Sequence, residues 1–380
     1  MKLRIVDCFL LLGILLIPFS FHLLSFQPEL IRLLFVPINS KLATTLGFHP
    51  LFFDLSSDSI LFYMHFLLLV LLSFVAMVLI KNQISDIRQL KIKQIIQLAA
   101  AYYLSLILLK YGFDKLFKAQ FPLPEPNLLF TPLGKLDKDI LFWSTMGSSR
   151  SYCIFMGLAE IIPAILLLYR RTRGIGALLS VMVLINVLAV NFSFDISVKL
   201  YSAFLLSLAL YLAFPTLQTI FKILIQQQIV LPYEDKLWNF NAKPFVKTAI
   251  ILLIFAEALI PYLKSGIFND DIAPRHHLAG AYENVDQSSE IKRIFIHRDS
   301  YLIFQNINDE MSDYKMSINS LKNTFEVIDY EENKFVIPFN FNRKTNELLI
   351  ELQNHKKFKF EKIYTSHLPL MQKQFHWMVD

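Results

Sequence analysis

Ionisable and amide side chains stand where an apolar chain should not carry them. Lys110, Asp114, Lys115 and Lys118 follow directly on the run QLAAAYYLSLILL. Glu160 lies inside CIFMGLAEIIPAILLL. Asn186 and Asn191 sit in the next apolar run, and Asp195 and Lys199 follow it. A charge at the centre of a membrane helix costs about 2.5–3.5 kcal/mol on insertion scales, so such groups face a bundle interior and mark function by default. Lys110, Asp114 and Lys118 stand at i, i+4 and i+8, one face if the helix runs that far. Asn191, Asp195 and Lys199 repeat the spacing. Cys153, Gly157, Glu160 and Ala164 form a stripe at i, i+4, i+7 and i+11. Its small residues admit a second helix closely, which puts Glu160 in a tight seam beside Pro163.

The chemistry open to these residues is proton and anion handling. Glu160 can carry a proton, while Lys115 or Lys199 can hold negative charge on an oxygen. Asp114, Asn191 and Asp195 would complete a polar pocket for a quinone-like or small anionic ligand. Blander roles compete. Lysines at a membrane edge commonly snorkel to water, aspartates cap or pair locally, and asparagines bond between helices. His22 and His65 could together ligate haem, although an interfacial histidine is the commoner case. The pair His276-His277 lacks a third ligand by spacing, so no metal is expected there.

Elements able to hold these residues follow from composition. The 380 residues are 54% hydrophobic and 18% charged, against about 25% charged in an ordinary globular domain. The chain reads as an integral membrane protein with a soluble part. Apolar runs long enough to span fall near 5–25, 59–80, 96–113, 152–169, 174–192, 199–214 and 248–264, about seven spans. The run 199–214 is short and ends at Pro215; Glu257 and Pro261 interrupt the last. The N-terminus MKLRIVDCFLLLGILLIPFSF resembles a signal peptide without a cleavage site, hence an uncleaved first span.

Lysine and arginine set the sidedness. Lys2, Arg4, the segment 81–94, YRRTR (169–173) and Lys222, Lys236, Lys243 and Lys247 alternate onto one side, which the positive-inside rule makes cytoplasmic, although the 114–150 loop, with Lys115, Lys118, Lys135, Lys138 and Arg150, goes against the rule. The expected setting is a bacterial inner membrane, with the N-terminus cytoplasmic and the C-terminal region outside. The net charge of +6 is spread over span ends, so nucleic acid is not an expected partner. The loop 29–53 reads as interfacial. FPLPEPNLLFTPLG (121–134) has proline enough to exclude helix and favour an extended, pinned loop.

From about residue 275 the pattern changes. IKRIFIHR, YLIFQN, DYKMSIN, FEVIDYE, KFVIPFN, ELLIELQ and KFKFEKI alternate with turn residues. This spacing predicts a small antiparallel sandwich or barrel. The expected architecture is a membrane α-helical bundle plus a small C-terminal all-β domain. Its parts are 1–94 (two spans and an outer interfacial loop), 95–215 (a four-helix membrane unit), 216–265 (a cytoplasmic linker and the last span) and 266–380 (an extracytoplasmic β-domain).

The stretch MGSSRSYCIFMGLAEIIPAILLLYRRTRGIGALLSVMVLINVLAVNFSFDISVKLYSAFLL (146–206) resembles the DoxX family of small membrane proteins. The likeness rests on Met146-Gly147, Gly157 with Glu160, Arg170-Arg171-Thr172, Gly176-Ala177-Leu178, Asn186-Val187, Asn191, Asp195 and Val198-Lys199-Leu200. Upstream, Tyr111-Gly112 and Lys115 of KYGFDKLFKAQFP look like the exit of the family's first helix. The resemblance covers about 95–215 and implies a four-helix unit. Archaeal members are subunits of a thiosulfate:quinone oxidoreductase, and others associate with thiol and oxidative-stress enzymes. This implies a redox-linked membrane subunit with a redox partner, and a quinone as candidate cofactor. The family offers no firmly shared catalytic residue. This chain has two cysteines, Cys8 and Cys153, and no CxxC pair, which departs from what sulfur transfer would use.

A second function class is a non-enzymatic assembly factor. Its bundle would anchor it in the bilayer and its β-domain would bind an envelope protein. Seven spans also permit a transporter, although no inverted repeat is visible. P-loop, dinucleotide-binding and metalloprotease signatures are absent from the sequence.

Overall fold

The computed structural model describes residues 3–50, 54–228, 244–298, 300–352, 356–372 and 378. Lys2, the end of the 29–53 loop, and Lys236 and Lys243 of the expected cytoplasmic linker lie outside the described residues. The chain forms two compact units. One comprises Met1–Gln120 and Ser151–Phe268; the other comprises Phe121–Arg150 and Asn269–Asp380.

The first unit is a helical bundle: α1 (Ile5–Leu16), α2 (Phe26–Thr45), α3 (Ile60–Gln83), α4 (Asp86–Leu116), α7 (Arg150–Leu168), α8 (Arg173–Ser193), α9 (Lys199–Leu224) and α10 (Pro244–Ser265). Six helices among the described residues are long and apolar enough to cross a membrane, and α1 is a shorter apolar helix. The chain is a multi-pass membrane protein. Its core gathers Leu104, Ile107, Leu108, Ala164, Leu167, Leu208 and Ala209 around α4, which packs on α1, α9 and α10. Phe74, Leu79, Phe155, Met182 and Phe192 remain exposed, as lipid-facing positions should.

The first span differs from expectation. α1 stops at Leu16, and Ile17 is extended. The cause is Pro18, which disfavours helix at the residue before it. Twelve residues reach only about 18 Å, against a hydrocarbon core of about 30 Å. The break frees backbone groups that need partners, and side chains supply them. Gln27 accepts from Phe19 N and donates to Ile17 O. His65 Nε2 donates to Leu16 O at 2.8 Å, and its Nδ1 accepts from Asn39. Glu257 accepts from the amides of His22 and Leu23 at 2.5 and 2.7 Å. His65 and the Glu257 that interrupts the apolar run of α10 are thus accounted for by the break. The 29–53 stretch holds most of helix α2, with Pro37 inside it.

Pro215 does not end its helix either: α9 runs through it to Leu224. A proline in a membrane helix is tolerated where neighbouring groups re-satisfy the backbone. Pro215 lacks the N–H that would bond Tyr211 O, and beyond it Thr219 Oγ1 donates back to Pro215 O at 3.0 Å within the continuing helix.

The second unit is a closed eight-stranded antiparallel barrel, in which each strand pairs with the next and β8 returns to β1. The strands are β1 (Gly280–Asn284), β2 (Ile291–His297), β3 (Tyr301–Asn306), β4 (Met311–Asn319), β5 (Thr324–Ile328), β6 (Lys334–Asn342), β7 (Glu347–Glu351) and β8 (Lys357–Ile363). Closure sets Ala281 against Ile363 and Glu283 against Glu361. Side chains at alternate positions fill the interior: Phe325 and Val327, Leu348 and Ile350, Phe358 and Phe360, the two-residue period of a pleated strand.

In β2 the alternation fails, because Ile294, Phe295 and Ile296 are all buried. The covering element is the segment 121–150, with α5 (Pro126–Leu129) and α6 (Lys138–Ser148). Phe130 stacks on Phe295 at 5.8 Å, with the Arg293 guanidinium over its ring at 4.7 Å. Gln305, fully buried, donates to Phe130 O. Lys135 donates to Asn308 O. Arg298 pairs with Glu125 at 2.6 Å and also with Asp270. The proline-rich stretch is therefore pinned as expected, but it includes helix. It also clusters with the barrel, not with the 95–215 helices beside which the sequence had set it.

The 121–150 segment and the barrel form one compact unit, and the chain between them runs through α7, α8, α9 and α10, four helices.

Candidate functional site

The site is built on one helix seam. A Cβ added to Gly157 would lie 2.7 Å from Gly112 O, and one on Gly112 would lie 3.0 Å from Gly157 O. Only residues without a side chain let α4 and α7 approach so closely. Ser105 donates to Ala164 O at 2.8 Å further along, and Lys118 Nζ reaches Cys153 Sγ at 3.9 Å beyond. These contacts keep the register of two antiparallel helices. The stripe of Cys153, Gly157, Glu160 and Ala164 is buried throughout, as the spacing predicts.

Lys115 and Glu160 each follow their glycine by three residues. Their Cα atoms are offset by about 9 Å along the seam. Every Cα–Cβ bond tilts toward its helix N-terminus, so on antiparallel helices the two side chains lean toward each other. Lys115 Nζ meets Glu160 Oε2 at 2.8 Å, both groups buried. The Lys115 ammonium also lies 5.6 Å from the centroid of the Tyr111 ring. Asp114, next in the chain, accepts from the Tyr262 hydroxyl of α10.

Tyrosines extend the group inward. Tyr111 is within electrostatic reach of Asp114, Glu160 and Tyr103. The Tyr103 and Tyr201 hydroxyls are 3.0 Å apart, both buried. Asn191 donates to Ser202 Oγ at 3.0 Å, next to Tyr201 in the chain. Glu160, Lys115, Asp114, Tyr262, Tyr111, Tyr103 and Tyr201 thus form a cluster of proton-bearing groups. A carboxylate and an ammonium in a poorly solvated seam can exist charged or, after one proton moves, neutral; the two states belong to the pair.

The expected residues divide. Asp114, Lys115 and Glu160 come together, and Asn191 sits at the tyrosine edge. Asp195 and Lys199 form a separate group: Lys199 Nζ meets Asp195 at 2.7 Å and Asp58 at 3.7 Å. Asp58 also accepts from the amides of Lys199 and Leu200. It caps the first turn of α9, where free amides need an acceptor. Asp195 takes a left-handed backbone, φ 52°, in the turn before it. Lys118 leaves the face proposed for Lys110 and Asp114, because α4 stops at Leu116 and Lys118 has φ 63°.

Tyr103, Tyr201 and Tyr262 were not singled out from sequence, and Tyr111 entered only through the family resemblance. Tyr102-Tyr103 and Tyr201 inside apolar runs were the available signal. A second buried group was also missed: Asp7 accepts from Tyr211 at 2.6 Å and lies 3.9 Å from Lys93. Lys93 and Lys115 are both on α4, about 33 Å apart along its axis, so the two groups occupy opposite ends of the bundle.

No family model matches the chain, and no solved structure matches it. Over 102 residues it is 33% identical to "Uncharacterized protein YwoB" of Bacillus subtilis (strain 168), a stretch amounting to 27% of this chain and 64% of that relative. The chain therefore spans less than two thirds of the length of the relative it matches.

Proposed function

We propose that this protein is a DoxX-like, redox-linked membrane subunit whose Glu160 end binds a quinone-like or small anionic ligand and moves a proton with it. One observation carries the reading: the Lys115–Glu160 pair, 2.8 Å apart in a glycine-lined seam beside a tyrosine cluster. A carboxylate buried there is costly to keep, and function is the default reason for keeping it. In this mechanism Glu160 exchanges a proton, Lys115 balances negative charge on the ligand oxygen, and the phenol of Tyr111 donates a hydrogen bond. The distribution of Lys and Arg supports a bacterial inner membrane, a cytoplasmic N-terminus and an extracytoplasmic barrel.

The test is a titration of the purified full chain in nanodiscs with a water-soluble quinone analogue, read by thermal stability from pH 5.5 to 8.5. Wild type should be stabilised in a pH-dependent way. Glu160→Gln should lose that pH dependence, and Lys115→Met should lose affinity. A Glu160→Gln protein that folds normally and keeps every ligand property of wild type ends the proton role.

A second reading, the non-enzymatic assembly factor, is favoured by a groove of about 550 Å³ on the barrel wall, lined by Lys315, Glu326, Lys334 and Val336 among others. If Lys334→Glu with Val336→Asp reproduces the null phenotype while Glu160→Gln is silent, this reading prevails.

A further inference from the structure

His276-His277 has no part in the bundle site, yet cations gather around it. The two rings lie 4.3 Å apart, and His277 lies 5.9 Å from Phe341. Lys362, on β8, donates to His277 O at 3.1 Å and holds its ammonium 5.6 Å from the centroid of the Tyr282 ring. Gly280 makes room for this lysine: its φ is 143°, and a Cβ there would lie 3.0 Å from Lys362 Cε. Lys362 is thus seated by three separate features. Arg343 completes the group, being among the charges that act on His277.

Phe341 and Arg343 also line a groove of about 490 Å³ on the β6–β7 hairpin, with Asn340, Asn342 and Lys344. Its carboxylate, Glu347, is engaged by Lys359 at 2.6 Å. Glu361 precedes Lys362 on β8 and so points to the other face of the strand. The charges that act on His277 are all cationic: His276, Arg343 and Lys362. Like charges gathered this way repel one another, and a bound anion relieves the repulsion.

We propose that this end of the barrel, with His276, His277, Arg343 and Lys362, binds a phosphate-type oxyanion. Lys362 and Arg343 supply charge at neutral pH, and the imidazoles add it on acidification. Burial, then the neighbouring cations, hold His277 below the ordinary imidazole range. An anion reverses the second effect, so binding takes up protons and tightens as pH falls toward 6.

The test uses the full chain in phosphate-free buffer, titrated with inorganic phosphate by calorimetry at pH 6.0 and 7.5. Saturable binding is expected, stronger at pH 6.0. It should weaken about tenfold in Arg343→Gln and in Lys362→Met, the loss of one charge-assisted hydrogen bond each. His277→Gln should flatten the pH dependence. Arg343 is exposed, so its variant reports even if Lys362→Met fails to fold. A lipid headgroup carries the same chemistry. Hydrogen exchange in phosphatidylglycerol and phosphatidylcholine nanodiscs separates the sources. Slower exchange at 276–280 and 341–346 only with the anionic lipid assigns the headgroup; saturable binding of free phosphate assigns the soluble anion. Absence of both effects, or binding unaltered by Arg343→Gln, overturns the proposal.

Discussion

Gly112 and Gly157 face each other across the α4–α7 seam, and each is followed three residues later by one member of the Lys115–Glu160 pair. The glycines set the helix separation and so the pair's geometry. Gly157→Val should force the helices apart and cost about 1–3 kcal/mol as overpacking. Denaturant titration in mixed micelles would measure it. The same variant should shift any ligand response that depends on Glu160.

Removing one member of the buried pair leaves an uncompensated charge. Lys115→Met alone or Glu160→Leu alone should destabilise by about 3–5 kcal/mol, while the double variant should recover most of it. A double-mutant cycle checks this. Additive losses would mean that the two groups do not interact.

Phe130 stacks on Phe295 and carries the Arg293 guanidinium over its ring. Phe130→Ala should release the 121–150 segment from the barrel, at a cost of about 1–3 kcal/mol from its aromatic and cation–π contacts. Hydrogen exchange should quicken at 126–135 and in β2, with little change in α4.

Four helices separate the 121–150 segment from the barrel, and an even number of crossings predicts labelling from one side. In a Cys8→Ser/Cys153→Ser background, Lys138→Cys and Leu321→Cys should react with an impermeant maleimide from the same side of a sealed vesicle. Arg171→Cys should react from the other. Opposite labelling of Lys138→Cys and Leu321→Cys would break the second unit apart.

His277 makes the barrel acid-sensitive in one window. Burial, then neighbouring cations, hold its folded value below 6.5. As pH falls through 6.5 the unfolded chain binds the proton first, so this stability is present above 6.5 and declines below it. His277→Gln should remove that decline and leave the loss at lower pH, where carboxylates such as Asp309, depressed chiefly by its bond to Lys292, become protonated. A pH series of thermal unfolding compares the two.

Apolar length was legible because lipid demands it: the runs beginning near 59, 96, 152, 174 and 248 each hold a helix. Glu160 was legible for the same reason, since an acid in the run CIFMGLAEIIPAILLL has few bland explanations. What failed was local punctuation. Pro18 broke a helix where the apolar run continued, and Pro215 did not break one where the run seemed to end. The difference lies in neighbours that sequence order hides, such as the Gln27 and His65 side chains that make the first break affordable. Tyr262 and Lys93 were missed because their partners, Asp114 and Asp7, come from distant helices. The strands were visible by alternation, but closure needed β1 to meet β8, and the burial of Phe295 needed Phe130 from a segment far away in the chain.

The second unit draws on two pieces of chain that leave the ribosome far apart in time. Residues 121–150 are made four helices before the barrel strands that cover Phe130. During that interval the segment holds its apolar face without its own shelter. Synthesis of α7 to α10 therefore sets the clock for assembly of the second unit, and a pause in α9 or α10 leaves the earlier piece open to capture by a holding chaperone or a protease.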